Sequence, residues 1–204
     1  MAMIHIRSTR RMTPAVASRG VEVLRLAEAM GLAPTASGRL GYSQLAEVAD
    51  QIAEHGIGAA SAATLSGDGH LSMVEIRKAL DGLLAAMKES PLPQSELRSL
   101  GEILGRERIA ALVGTSEPSL RRYLAGSRRV PDDIAQRAHA LAIVVSYLRG
   151  AYNASGVRRW FERRRTQLDG RAPQELLAGD WDPADPDPAR VTALARALAA
   201  SPAT

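Results

Sequence analysis

Two adjacent arginines, Arg121 and Arg122, lie in the segment Arg106–Gly126, RERIAALVGTSEPSLRRYLAG, whose residue spacing matches a helix-turn-helix. Guanidinium groups form paired hydrogen bonds to phosphate oxygens and to the acceptor edge of guanine, so a duplex-reading helix needs them on its outer face. Ile109, Ala110, Leu112 and Val113 supply the apolar side of a first helix, and Ala110 is small where two helices must approach closely. Gly114 offers the backbone shape through which a chain leaves a helix. Ser116 or Glu117 can cap the second helix, and Pro118 fits its first turn, where no amide donor is needed. Leu120 and Leu124 then return to the core, while Ser119, Arg121, Arg122 and Tyr123 fall mainly on the other side. In this reading Thr115, Ser116 and Ser119 fix register, Arg121 and Arg122 contact bases or phosphates, and Arg128 and Arg129 reach phosphates from the next turn. The competing arrangement is an ordinary helical hairpin with a solvated arginine pair.

A second basic run, VRRWFERRR at Val157–Arg165, surrounds Trp160 and Phe161 with five arginines. It reads either as a further nucleic-acid contact or as two core aromatics with a solvated basic face. Aromatics are scarce elsewhere, which favours a core role for Trp160 and leaves some of the arginines free to touch DNA.

Other constellations are weaker. With Gly69 at the sixth position of a calcium loop, Thr64, Ser66, Asp68 and Glu75 take the first, third, fifth and twelfth positions. The first lacks its carboxylate and the third is only a serine, so charge for a hard cation is short. The same stretch makes a turn and then a Ser72/Glu75 capping box, which is the favoured reading. His5, His55, His70 and His139 form no pair with metal-ligand spacing. Asp180, Asp182, Asp185 and Asp187 alternate with prolines and read as a solvated acidic linker rather than a cation site. There is no phosphate-binding glycine loop, no nucleophile elbow and no Ser/His/Asp set. Cysteine is absent, which removes thiol nucleophiles, disulfides and cysteine metal cages. No enzyme, cofactor or metal is expected.

The elements that must carry these residues are helical. The chain has 204 residues with 3% aromatics, dominated by alanine and leucine with apolar spacings of three and four. Helices are predicted at Ala15–Met30, Ser43–His55, Ser72–Glu89, from Ser95 into the motif, and at Asp132–Arg149, Ser155–Gln167 and Ala189–Ala200. The stretch GIGAASAATLSGDGH reads as loop, SPLPQS as a connector and DWDPADPDP as loop. The final helix carries Val191, Leu194, Ala195 and Leu198 on one stripe, which needs a partner in its own core or on another protein. MAMIHIRSTRRM lacks a signal-peptide apolar segment, and Ala138–Leu148 is too short to span a bilayer, so a soluble cytoplasmic chain with no membrane partner is expected.

Charge is unevenly distributed. Residues 1–95 hold nine basic and nine acidic side chains, Glu96–Ala178 fifteen arginines against nine acids, and residues 179–204 two against four. The basic excess thus coincides with the motif and the residues directly after it, the electrostatic footprint of a nucleic-acid partner.

The order of motif, long helix, Trp160, then LDGRAPQELL and a short last helix resembles the Xre/MbcA/ParS-type antitoxins over about half the chain, Leu97–Leu198. The matching residues are Trp160, Leu168, Gly170, Pro173, Leu176 and Leu177, with Val191 and Leu194 in the last helix. The resemblance implies an all-helical, commonly dimeric DNA-binding antitoxin that represses its own promoter. It also implies a RES-domain toxin partner that consumes NAD, met by Val191, Leu194 and Leu198 of the final helix. The expected fold is therefore an all-α helical bundle containing a helix-turn-helix, divided as an N-terminal extension 1–95, a DNA-binding region 96–150 and a toxin-binding-like region 151–204. The double-stranded-DNA repressor stands beside two alternatives: a phage-type immunity repressor without a toxin, and a protein-interaction module whose helix-turn-helix is structural.

Overall fold

The computed structural model describes residues 12–33, 41–67 and 70–200. The N-terminal segment with His5, and Asp68 and Gly69 of the calcium-loop pattern, lie outside them. Among the described residues the secondary structure is helical, with one isolated bridge between Arg165 and Arg171 and no strand.

The first layer is built from α1 (Pro14–Ala29), α2 (Tyr42–Glu54), α3 (Ala59–Ser66) and α4 (Met73–Glu89). Thr13 caps α1, whose first residue is Pro14, and Ser72 and Glu75 close a reciprocal capping box on α4. Ser72 N donates to Glu75 Oε2 at 2.7 Å, so the glutamate that a calcium loop would need is spent on a helix end. The segment expected to be loop after α2 instead contains α3. Its Ala-Ala-Ser-Ala-Ala core has high helix propensity, and Gly58 in the left-handed region turns the chain into it. Ala62 and Leu65 are buried where α3 packs on α2 and α4.

The second half contains α5 (Pro93–Leu104), α6 (Arg106–Leu112), α7 (Glu117–Leu124), α8 (Asp132–Leu148), α9 (Ala154–Glu162), a 3₁₀ turn at Thr166–Leu168, α10 (Pro173–Leu176) and α11 (Pro186–Ala200). The central element is α8, against which α1, α5 and α11 all pack. Its buried side runs through Ile134, Ala138, Leu141, Val145 and Leu148. One apolar interior extends from Val16 to Ala195, continuous across residue 95. No helix among the described residues is long and apolar enough to cross a membrane.

Three boundaries differ by more than one residue from the sequence reading, the first being α5, which starts at Pro93 inside the SPLPQS connector. Helix α9 stops at Glu162 rather than Gln167, because Arg163 turns extended and Arg165 pairs its backbone with Arg171. Helix α11 starts at Pro186, inside the segment read as loop, since proline fits a first turn that asks for no amide donor.

Candidate nucleic-acid interface

Helices α6 and α7 are joined by a four-residue turn, Val113–Ser116. The turn opens with Gly114 at φ +71°, Thr115 N donating to Ala110 O at 2.9 Å and Gly114 N to Ala111 O at 3.3 Å, which satisfies carbonyls left open at the end of α6. Of the two capping candidates it is Ser116 that caps α7, its Oγ accepting from Ser119 N at 3.3 Å. Ile109, Ala110, Leu112, Val113 and Leu120 are buried as expected. Tyr123 is buried too, which corrects its placement on the outer face. It lies three residues after Leu120, hence on the same side of the helix, and Leu124 is left half-buried.

The outer face carries Ser116, Arg121 and Arg122, with Arg128 and Arg129 exposed in the loop beyond α7. Arg122 Nε donates to Pro118 O at 3.3 Å, and the Arg128 guanidinium sits 5.6 Å from the centre of the Tyr123 ring. Neither of these, nor Arg121, is in an ion pair among the described residues. Arg129 is, at 3.2 Å from Asp132, though both side chains remain more than four-fifths exposed. Thr115 and Ser119 are half-buried, and Ser119 Oγ accepts from Ser116 Oγ at 3.1 Å. The expected contact residues are therefore exposed or half-buried on α7 and the segments flanking it, with the two serines partly engaged in the cap.

This face is braced from behind by groups the sequence reading did not single out. Gln94 Nε2 donates to the carbonyls of Tyr123 and Leu124, both at 3.3 Å, fixing the end of α7 to the start of α5. Arg137 of α8, 4% exposed, donates through Nη1 to Val113 O at 2.9 Å and through Nε to Trp181 O at 2.8 Å. Its Nη2 pairs with Asp133 at 3.2 Å and with Asp180. Trp181 Nε1 donates to Leu112 O at 2.8 Å, and Gly179 N to Ala111 O at 3.3 Å. The loop before α11 is thus bonded to the α6–α7 turn. A signal for this existed in the sequence: Arg137 shares the stripe of Ile134, Ala138 and Leu141, and an arginine on an apolar stripe must find partners.

The acidic segment is committed within the chain. Asp180 pairs with Arg137, Asp187 with Arg171 at 2.6 Å, and Asp182 and Asp185 accept backbone amides of their own turn. No group of three or more metal-ligating side chains is present among the described residues. His139, rather than a surface histidine, is buried against Glu96: Nδ1 lies 2.6 Å from Glu96 Oε1 and Nε2 2.9 Å from Lys88 O. Burial alone would lower its pKa, but the hydrogen bond and charge of Glu96, with the Lys88 carbonyl, outweigh this and raise it. Both ring nitrogens face acceptors, as an imidazolium requires.

The C-terminal residues form one buried cluster in which Trp160, Phe161, Leu168, Leu176 and Leu177 are all in the core. Trp160 has its favoured role. Of the arginines around it, Arg158 donates to Ile103 O at 2.9 Å, Arg164 pairs with Glu175 at 3.3 Å and Arg165 lies 4.8 Å over the Trp160 ring. On α11, Val191 and Ala195 are fully buried against the bundle and Leu194 and Leu198 half-buried on it. The stripe finds its partner inside the chain. Compared with known proteins, the chain matches no family model, no curated protein and no solved structure.

Proposed function

We propose that the chain is a sequence-specific double-stranded-DNA-binding repressor that lays α7 in a major groove. The observation that carries this is the outer face of the α6–α7 pair. Arg121, Arg122 and Arg128 stand there exposed without carboxylate partners, while the turn behind them is held by buried hydrogen bonds. Three exposed guanidinium groups without carboxylate partners are what phosphate neutralisation and guanine recognition ask for. Arg129 and the α7 cap, Ser116 and Ser119 with Thr115, add backbone contacts.

The resemblance to Xre/MbcA/ParS-type antitoxins extends the reading to an autoregulating, homodimeric antitoxin with a RES-domain toxin as partner. The compact Trp160–Leu177 cluster supports that extension. Because Val191 is buried, a toxin contact on α11 falls to Leu194 and Leu198, whose edges remain accessible. The reading needs no catalytic step and no cofactor.

The test is selection from a random duplex library, with titration of the enriched site at two salt concentrations. An enriched motif whose affinity falls steeply with salt is expected, and Arg121→Ala with Arg122→Ala should weaken it by about 2–4 kcal/mol with the fold retained. The same double variant should make the log–log salt slope about 2 units shallower. No enrichment and no salt dependence would overturn the reading and leave a protein-interaction module.

A further inference from the structure

A recess lies beside α9 where its arginines meet the edge of the core. Arg159, Arg163 and Arg165 meet Tyr152, Asn153 and Trp160 around a recess of about 410 Å³, within the size range of small-molecule sites. No acidic residue lines it. Arg159 and Arg163 are exposed and form no ion pair among the described residues, in contrast to their neighbour Arg164, which turns to Glu175. Behind the wall, Arg165 Nε and Trp160 Nε1 are buried with no hydrogen-bond partner. A recess with two exposed, unpaired guanidinium groups at its mouth and no carboxylate on its wall suits an anion. Burial holds the Arg165 guanidinium below the ordinary arginine value, and the charge of Arg163 adds to this against an opposing effect of Tyr152. An entering negative charge would relieve that crowding.

We propose that this recess binds a small phosphate ester, its phosphoryl oxygens held between Arg159 and Arg163 and its organic part against Tyr152. Arg165, stacked on the Trp160 ring, adds its positive charge from the inner wall. A duplex backbone would meet the two outer arginines but would not fill a concave recess with an aromatic wall, which is why a small ligand fits better. The proposal is independent of whether α7 binds DNA.

The experiment is a titration of the full chain with AMP and, separately, with inorganic phosphate, tracking the two tryptophan indole N–H signals by proton–nitrogen correlation NMR. AMP is expected to move the Trp160 signal saturably and leave that of Trp181, which is bonded to Leu112 O, in place. Phosphate should move the same signal at higher concentration. Arg159→Ala with Arg163→Ala, both on the surface, should weaken AMP binding at least tenfold with circular dichroism unchanged. An unmoved Trp160 signal with both probes would overturn the proposal, as would equal AMP binding by the double variant. A signal moved by duplex DNA but not by AMP would also overturn it and assign the recess to the nucleic-acid backbone.

Discussion

Replacing Arg137 by methionine keeps most of the side-chain volume and removes the charge and all five donors. Two hydrogen bonds from a cation to the buried carbonyls of Val113 and Trp181 are lost, at 2.9 and 2.8 Å in the native chain. Each such bond is worth about 1.5–3 kcal/mol, and carbonyls left without a donor retain their desolvation cost. The ionic part adds little, because the Asp133 and Asp180 side chains are 58% and 96% exposed and return to water. Surface pairs of this kind contribute about 0–1 kcal/mol. The sum is a loss of about 3–5 kcal/mol, a large share of the stability of a domain this size. Urea unfolding monitored by far-ultraviolet circular dichroism measures it as a drop in midpoint with an unchanged slope. Asp180→Ala is the control and should cost less than about 1 kcal/mol. Two outcomes would refute the reasoning: an Arg137→Met cost below about 1 kcal/mol, or an Asp180→Ala cost equal to it.

Gly114→Ala should destabilise by roughly 2 kcal/mol or more in the same assay, since φ is +71° and the new methyl would stand 2.5 Å from Gly179 O and 2.8 Å from Arg137 Nη1. Ser116→Ala removes the α7 cap and should cost about 1 kcal/mol, read as a lower thermal midpoint. His139 has a pKa raised above its ordinary 6.5, so its contribution is full below pH 6.5 and is lost as pH rises through the folded value. Unfolding free energy measured from pH 6 to pH 9 should therefore fall in the native chain, and the His139→Phe chain should lack that component.

The helical class was legible because alanine, leucine and three-and-four spacing leave no other periodicity to satisfy. The α6–α7 pair was legible for a local reason: glycine, serine, proline and the apolar positions each act within a few residues of their own place. Helix α3 was missed because its residues are small and its apolar stripe is only Ala62 and Leu65, so periodicity had little to detect. Tyr123 was misplaced because its polar tip suggested solvent while its ring, three positions from Leu120, belongs inside. The Arg137–Trp181 bond and the His139–Glu96 pair span more than 40 residues each, and no local pattern names the partner of a buried charge. The stripe of α11 showed that a partner was needed without showing that α8 supplies it.

Net charge alone overstates the surface available to an anion. Of the fifteen arginines in Glu96–Ala178, several are consumed by the fold. Arg137 clamps the turn, Arg149 pairs with Glu28 at 2.5 Å, Arg158 holds a carbonyl of α5, and Arg164 and Arg171 meet carboxylates. Beside the single exposed arginines Arg98 and Arg106, guanidinium without a carboxylate partner is clustered in two separate places among the described residues. One is the exposed side of α7 and the loop beyond it, with Arg121, Arg122 and Arg128, the other the recess of Arg159 and Arg163. Open and recessed basic surfaces select different anions: the first suits an extended groove and its phosphate rails, the second a ligand that can be enclosed. The basic stretch that looks uniform in the sequence thus divides, once folded, into structural cations and arginines left without carboxylate partners on an open face and beside a recess.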